Sequence, residues 1–386
     1  MSKATLQFGR GARAWTAVLA VAMLGLALFA AAAQAVPTTF WGVVPQATPS
    51  QEQFQRLRRG GVDSTRIAID WGAVQPARGG AFNWAGTDGV VAKAANAGIE
   101  VLPFLNGAPS WAVPSVWVPG SNHTVKAPDH LPAAGTAAGA WSNFVKGAVA
   151  RYGPNGTFWA ENPTVPVRPI RTWQIWNEQN FKYFVARPNP AEYGRLVKLS
   201  YTALKASDAG AKLVLGGMFS RPKGGKSMKE KPKRTYFASD FLDQMYETTP
   251  GIKSKFNGVA LHPYTGRYQE LTEEIEEFRA VQRANGDAGK GLWITELGWS
   301  AGFPNAANGR NGFEKGPSGQ AKQLKGAFSL LEAHQAKWNL KQVFWFSVDD
   351  RPGACNFCDG SGLFGPGFVA RPSWKAYVKF AGGVAG

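Results

Sequence analysis

Two glutamates each stand directly after an apolar run of the sequence. Glu178 follows Asn177 at the end of the run 172–176, and Glu296 follows the run 292–295. One such carboxylate alone is explained by a strand-end charge that reaches solvent, but two in one chain form a candidate catalytic pair. Two carboxylates whose surroundings hold their pKa values apart can divide a displacement reaction, one as general acid and base and the other as nucleophile.

The elements that must position this pair alternate along the chain. Eight apolar or β-branched runs are each followed by a segment with helical periodicity. The runs are continuously apolar, which is typical of parallel strands buried on both faces, so the sequence predicts an α/β fold, a single (β/α)8 TIM barrel. The strand runs are 39–44, 64–71, 99–105, 172–176, 212–217, 258–261, 292–295 and 342–348, and the helical segments are 52–59, 87–97, 140–152, 191–206, 237–246, 271–283, 319–337 and 373–380.

An open, doubly wound sheet is the alternative to the barrel. It is disfavoured because no run leads directly into a glycine-rich phosphate turn that opens a helix. In a barrel, strands four and seven lie on facing parts of the ring, and both glutamates belong to the carboxyl-end mouth. Their side chains are then expected to face each other at the spacing of about 5 to 5.5 Å that a retaining glycosidase requires.

The segments "WQIWNEQN" and "LWITELGWS" resemble the clan A glycoside hydrolases, and within the clan the endo-acting members of family 39 and, less closely, family 5. The resemblance implies that Glu178 is the general acid and base and that Glu296 is the nucleophile. It further implies that Asn177 donates a hydrogen bond to the 2-hydroxyl of the sugar. Many relatives have proline after the Asn-Glu pair, whereas Gln179 follows here.

Three further residues are candidates for substrate binding and for tuning the carboxylates. Arg66 interrupts the apolar second run, where an unpaired guanidinium facing the barrel interior would be costly; the alternative is an arginine that extends to the rim. Clan members resemble this chain in having an arginine on strand two near the nucleophile. Tyr264 looks like the clan tyrosine that bonds the nucleophile. His262 is expected either to contact substrate or to be a buried histidine satisfied by a neighbour.

Aromatic side chains supply platforms for the C–H faces of sugars. Trp345 resembles the clan's strand-eight tryptophan at the subsite of the cleaved bond, and Trp299 is a second candidate platform. Further candidates, for which ordinary loop packing is the alternative, are Trp111, Trp117, Phe181, Tyr183 and Phe184. Trp173, Trp176 and Trp293 lie inside strand runs and are expected in the core.

The first 35 residues have the pattern of an export signal. Three basic residues precede an apolar run over 15–33, and Ala33-Gln34-Ala35 is an A-x-A cleavage site. The expectation is a signal peptide over 1–35 and a secreted catalytic domain over 36–386, with an uncleaved membrane anchor as the alternative. In an exported protein, Cys355 and Cys358 are expected to form a local disulfide, and a structural zinc site would need further ligands.

The charge balance points to the kind of partner. Lys and Arg number 43 against 26 Asp and Glu, for a net charge of +17, and the segment 221–234 is rich in lysine. This segment either attracts an anionic glycan or is a solvated loop without a partner. The expected partner is a polysaccharide or oligosaccharide, with no nucleic acid, no membrane beyond the export signal, no metal or other cofactor, and a monomeric protein. The alternatives are a non-catalytic carbohydrate-binding barrel and a cationic binder of anionic polymers.

Overall fold

The structure is a computed structural model of the 386-residue chain. It describes residues 1, 36–119, 124–220, 235–302, 312–351 and 358–386. Residues 2–35 of the predicted signal peptide, the lysine-rich segment 221–234 and Cys355 lie outside the described residues, so the expectations for them remain predictions. Residues 38–386 belong to one compact unit, which contains the fold described below.

Eight parallel strands close into a ring, which confirms the predicted (β/α)8 barrel. The ring order is β1, β2, β3, β6, β7, β9, β10 and β11, and β11 pairs with β1 to close it. These strands span Trp41–Val44, Ser64–Asp70, Glu100–Asn106, Thr172–Ile175, Lys212–Leu215, Gly258–Pro263, Gly291–Leu297 and Leu340–Phe346. Each overlaps one of the eight apolar runs, because a strand buried on both faces is apolar along most of its length.

Ten helices are described around the ring: eight lie at the predicted places, and two short ones, Trp71–Val74 and Thr157–Glu161, were not predicted. Their bounds, from α1 to α10, are Gln51–Arg59, Trp71–Val74, Ala85–Asn96, Gly135–Tyr152, Thr157–Glu161, Pro190–Ser207, Ala238–Thr248, Leu271–Ala284, Gly316–Ala333 and Pro372–Ala381. Helix α6 begins where the sequence indicates, since the Asn189 side chain accepts from the Glu192 N–H and Pro190 occupies the first turn. None of the helices in the described ranges has the length and apolar character needed to cross a bilayer.

The lower barrel interior is closed by a layer of apolar side chains. It consists of Val44, Leu102, Val214, Ala260, Trp293 and Phe344. This layer confirms Trp293 as a core residue, and Trp173 and Trp176 are likewise buried. The inward-facing Arg66 and Glu296 are both buried, and the carboxyl-end mouth is where such barrels place their active sites.

The loops carry short elements that the apolar pattern does not predict. Between β3 and α4, the strands β4 (Ser115–Pro119) and β5 (Thr124–Pro128) pair antiparallel. Strand β8 (Met218–Ser220) extends the sheet beside β9, and β12 (Phe364–Gly365) pairs with β13 (Val369–Ala370). The β4–β5 pair and β8 follow barrel strands three and five, so they belong to the same end of the barrel as both glutamates.

Candidate active site

The turn that carries Glu178 has an unusual backbone. Trp176 has φ 68° and Glu178 has φ 43°, so two residues with large side chains adopt the left-handed conformation. Such residues cost about 1–3 kcal/mol each and persist only where surrounding contacts impose them. Here the Trp176 N–H donates to the Leu105 carbonyl at 2.8 Å, and the Glu178 N–H donates to the Gly217 carbonyl at 2.9 Å. The turn is thus pinned to both neighbouring strands, which fixes the Glu178 carboxylate at the mouth.

The two glutamates lie close together in a buried pocket. The side chains of Glu178 and Glu296 are 7% and 11% exposed. One oxygen of each carboxylate and one nitrogen of His262 all lie within 4.8 Å of one another. His262 Nδ1 is 2.8 Å from Glu178 Oε1 and 3.6 Å from Glu296 Oε2. The pairing across the mouth that the sequence predicts is therefore present.

Arg66 faces the barrel interior rather than the rim, and it organises the pocket. Its guanidinium donates to Glu296 Oε1 at 2.7 Å, to Asn177 Oδ1 at 2.6 Å and to Gln174 Oε1 at 2.7 Å. It also lies 3.9 Å from the ring centroid of Phe104. Because Asn177 accepts from Arg66, the network assigns its amino group to the opposite side, where it is available as a donor.

Glu296 is surrounded by groups that favour its ionised form. The Tyr264 hydroxyl donates to Glu296 Oε2 at 2.7 Å, opposite the bond from Arg66. The pKa of Glu296 is raised by burial, and the charge of Arg66 and the two hydrogen bonds offset part of that rise. The pKa of Tyr264 is raised well above its usual value, by burial first and then by the charge of Glu296, so its hydroxyl remains a donor.

Glu178 lacks a cationic partner of this kind. Its pKa is raised well above the usual value, chiefly by burial and then by the charge of Glu296, and Arg66 opposes this only in part. Burial and the charge of Arg66 hold the pKa of His262 well below its usual value, so the imidazole is neutral. Its Nδ1 lies within hydrogen-bonding distance of Glu178 Oε1, so the group beside Glu178 is a neutral imidazole and not a cation.

Three residues of this network were not recognised in the sequence. The Thr295 hydroxyl lies 2.9 Å from His262 Nε2, and Gln174 Nε2 donates to Thr295 Oγ1 at 3.3 Å. A Cβ on Gly217 would lie 2.0 Å from His262 Nε2, so only glycine leaves room for the imidazole there. The available signal was a polar residue inside an apolar strand, namely Gln in "WQI" and Thr in "ITE".

The structure corrects the expectation that Trp345 and Trp299 are open platforms. Along β11, Phe344 and Phe346 face the barrel interior, so Trp345 between them points outward and packs against Phe328 of α9. The Trp299 ring packs 6.2 Å from Trp345, and its Nε1 donates to the Thr265 carbonyl. Both rings are fully buried. Phe346, which is only half-buried, presents its ring towards Tyr264 instead.

The remaining aromatic candidates differ in exposure. Trp111 packs edge-on against Trp71, and Phe181 stacks on Phe219 at 4.6 Å, so both contribute to loop packing. Tyr183 and Phe184 are half-buried. Trp117 on β4 is 68% exposed. At the last barrel loop, Cys358 is buried, but its proposed partner Cys355 is not among the described residues, so their disulfide stays a prediction.

A closed barrel with two buried, facing glutamates at its mouth is the arrangement that glycosidases use. The family described as glycosyl hydrolase catalytic core matches residues 170–366, just over half of the 386 residues. The chain therefore belongs to the glycosyl hydrolase catalytic core family. No curated protein sequence matches the chain.

Solved structures with the same fold include clan A glycosidases of the two families that the motifs resemble. A family 39 glycoside hydrolase from the gut symbiont Bacteroides cellulosilyticus WH2 has TM-score 0.57 and 19% identity over 90% of this chain and 64% of that one. A GH5_18 protein from Bifidobacterium longum subsp. infantis has TM-score 0.57 and 17% identity over 89% and 78%. A monomeric beta-xylosidase from Caulobacter crescentus CB15 has TM-score 0.55 and 17% identity over 88% and 67%. The chain spans less than two thirds of the family 39 structure.

Proposed function

We propose that this protein is a retaining O-glycosyl hydrolase in which Glu296 is the nucleophile and Glu178 is the general acid and base. The observation that carries this proposal is the distance between the carboxylates, whose nearest ligand oxygens lie within 4.8 Å of each other. Retaining enzymes place the two carboxyl groups about 5–5.5 Å apart, whereas inverting enzymes need about 6.5–9.5 Å to admit a water molecule. The short separation favours direct attack by a carboxylate over attack by a water molecule held between the two groups.

The reaction proceeds in two displacements at the anomeric carbon. In the first, a Glu296 oxygen bonds to the anomeric carbon while the bond between that carbon and the glycosidic oxygen breaks. Glu178 gives its proton to the departing glycosidic oxygen. In the second, Glu178 takes a proton from water, the water oxygen bonds to the anomeric carbon, and Glu296 leaves as a carboxylate. The high pKa of Glu178 suits the acid, and the bonds from Arg66 and Tyr264 suit the nucleophile.

Asn177 supplies the selective contact with the sugar. Arg66 holds its Oδ1 at 2.6 Å, which directs the amino group towards the position of the 2-hydroxyl. A hydrogen bond to that hydroxyl strengthens as positive charge develops on the ring, so it lowers the barrier instead of only improving binding.

The finer features of the substrate follow from the resemblance and from the charge. We infer a β-linked polysaccharide or oligosaccharide cleaved inside the chain, and the net charge of +17 favours an anionic polymer. An endo-acting enzyme should lower the viscosity of its polymer long before reducing ends accumulate. Release of monosaccharide from the first minutes would identify exo action instead.

We also propose that the protein is exported, with cleavage after Ala35, and that it acts as a monomer. The basic residues, the apolar run 15–33 and the A-x-A site support export. Sequencing the amino terminus of the protein from culture medium should give Val36, whereas recovery of the full chain in membranes would support the anchor. Size-exclusion chromatography with light scattering measures the mass in solution.

The stereochemistry of the first product tests the proposed function. Proton NMR of the hydrolysis of an aryl β-glycoside should show the β-anomer first, followed by slow mutarotation to the equilibrium mixture. Initial appearance of the α-anomer would overturn the retaining mechanism while leaving the glycoside hydrolase family in place.

A further inference from the structure

The β4–β5 strand pair presents an aromatic and a cationic side chain together. Its inner face packs on the protein through Val118 and Ala127, which are buried. On its outer face Trp117 and Lys126 lie directly opposite each other in the antiparallel register, and both are exposed. Within the described ranges, Trp117 is the only aromatic side chain in the exposed class. This surface, made by Trp117 and Lys126, is called the outer β4 face below.

The outer β4 face is held in place beside the loop that bears Glu178. Lys182 Nζ donates to the Pro119 carbonyl at 2.7 Å, and the Ala186 N–H donates to the Pro128 carbonyl at 2.8 Å. Arg187 forms an ion pair with Asp129 just beyond β5. These bonds tie both strands to the segment that follows barrel strand four. The outer β4 face is therefore on the same side of the mouth as the proposed general acid, which is the side that the leaving group occupies.

The chemistry of this face fits an acidic sugar. An indole ring packs against the C–H groups of a pyranose with little loss of side-chain entropy. Directly opposite cross-strand residues have Cβ atoms about 4.5–5.5 Å apart, so the Lys126 ammonium can reach a carboxylate on a sugar stacked over Trp117. Lys182, 5.2 Å from the ring centroid of Tyr183, places a second positive charge on the adjoining loop.

We propose that the outer β4 face is a distal subsite on the leaving-group side of the cleft, and that it binds a uronic acid residue of the substrate chain. The proposal rests on the proposed function, because it takes the cleft between Glu178 and Glu296 as the point of cleavage. It names Trp117 as the stacking platform and Lys126 as the partner of the carboxylate. The positive charge of the protein favours the same ligand class.

Matched β-1,4-linked hexasaccharides test this subsite. The probes are cellouronate and cellohexaose, which differ in oxidation at C6, and the mannuronate and mannose hexamers, which form a second such pair. Calorimetric titration in the Glu178→Gln background should show at least one acidic hexamer binding about tenfold more tightly than its neutral match. Trp117→Ala should weaken that binding about tenfold, and Lys126→Ala should remove the preference for the acidic member.

Two control variants make the same changes elsewhere on the surface. Val369→Ala removes another exposed apolar side chain, and Lys325→Ala removes another exposed charge from α9. Both should bind the hexamers as the parent does. The proposal is overturned if no acidic hexamer binds, if acidic and neutral members bind equally, or if Trp117→Ala binds as tightly as the controls.

The same variants without the Glu178→Gln change separate this proposal from the proposed function. Trp117→Ala should lower kcat/KM on the bound acidic hexamer more than it lowers kcat/KM on a small aryl β-glycoside. If the hexamers bind as predicted but neither substrate is hydrolysed, the subsite stands and the catalytic assignment fails. If aryl glycosides are hydrolysed with retention but the hexamers do not bind, the catalytic assignment stands and the subsite fails.

Discussion

The glutamates after barrel strands four and seven share one pocket but have different neighbours. Glu296 accepts from a guanidinium and a phenol, whereas Glu178 is bonded to a neutral imidazole. Burial raises the pKa of both, but only at Glu296 do two direct hydrogen bonds oppose the rise. The difference shows that the strands that supply the partners determine how strongly burial raises the pKa of each of two chemically identical groups. Arg66 from strand two and Tyr264 from the loop after strand six both converge on Glu296.

The largest effect should come from exchanging each glutamate for alanine. Glu296→Ala should lower kcat/KM on every glycoside by about 10⁴-fold or more, since no nucleophile remains. Glu178→Ala should lower it by about 10²–10⁴-fold on ordinary glycosides and much less where the leaving group needs no proton. Azide should rescue Glu178→Ala with retained configuration. If azide rescued Glu296→Ala with retained configuration and did not rescue Glu178→Ala, the roles of nucleophile and of general acid and base would be reversed.

Removing the Tyr264 hydroxyl should make the surroundings of Glu296 more like those of Glu178, because Glu296 then loses one of its two hydrogen bonds. Tyr264→Phe keeps the ring but deletes the bond that lowers the pKa of Glu296, so that pKa should rise. The nucleophile is active when ionised, and the acid limb of the kcat/KM profile should therefore move to higher pH. We expect a loss of about 10²-fold at neutral pH. Tyr268→Phe changes a half-buried tyrosine outside this network and should leave the limb in place. An unchanged acid limb in Tyr264→Phe would contradict the role of the phenol.

The contact between His262 and Glu178 should be sensitive to the glycine behind it. Gly217→Ala places a Cβ 2.0 Å from His262 Nε2 and 2.5 Å from Thr295 Oγ1, so the imidazole must move away from its bonds. We expect kcat to fall about 10- to 100-fold and the basic limb of the pH profile to shift. Gly89→Ala is the control. Gly89 lies in α3, and a Cβ added there has no atom within 4 Å. Equal kcat in the two variants would show that the position of His262 does not matter.

The smallest effects should appear in thermal stability. Burial raises the pKa of Glu178 above the value near 4.5 that its carboxyl has in the unfolded chain, so the folded protein loses stability as pH rises above 4.5. Glu178→Gln removes this loss and should therefore raise Tm at pH 7.

Glu276 is the opposite case: hydrogen bonds from Lys337 and Trp338 lower its pKa to about 2. Its contribution is present above about pH 4.5 and is lost as pH falls towards 2. Glu276→Gln should therefore lower Tm at pH 7 by about 1–3 °C, with the deficit vanishing in acid.

Scanning calorimetry of both variants between pH 2 and 8 distinguishes these signs. The parent protein at each pH is the reference, and kcat of Glu276→Gln should equal that of the parent. A lower Tm for Glu178→Gln at neutral pH would mean that the buried carboxylate stabilises the fold instead of being retained for catalysis.

The eight strands and the two carboxylates were predictable because both follow from apolar runs and their ends. The orientation of the strand-eight aromatics was not, because the motif "VFWFS" does not reveal whether Trp345 or Phe346 faces inward. That choice depends on the register of β11 with β1 and β10, which only the closed ring fixes. Gln174 and Thr295 were missed for a related reason. A single polar residue in an apolar strand acquires its role only when Arg66 and His262 are brought beside it.

The covalent intermediate tests the division of roles most directly. A 2-deoxy-2-fluoro β-glycoside with a dinitrophenolate leaving group should inactivate the enzyme, since the fluorine slows both displacements and the good leaving group speeds only the first. Mass spectrometry of a peptic digest should then find one fluorosugar on the peptide containing Glu296, in the parent and in Glu178→Ala. Label on Glu178, or rapid turnover without any label from a panel of such sugars, would contradict the assignment of Glu296 as the nucleophile.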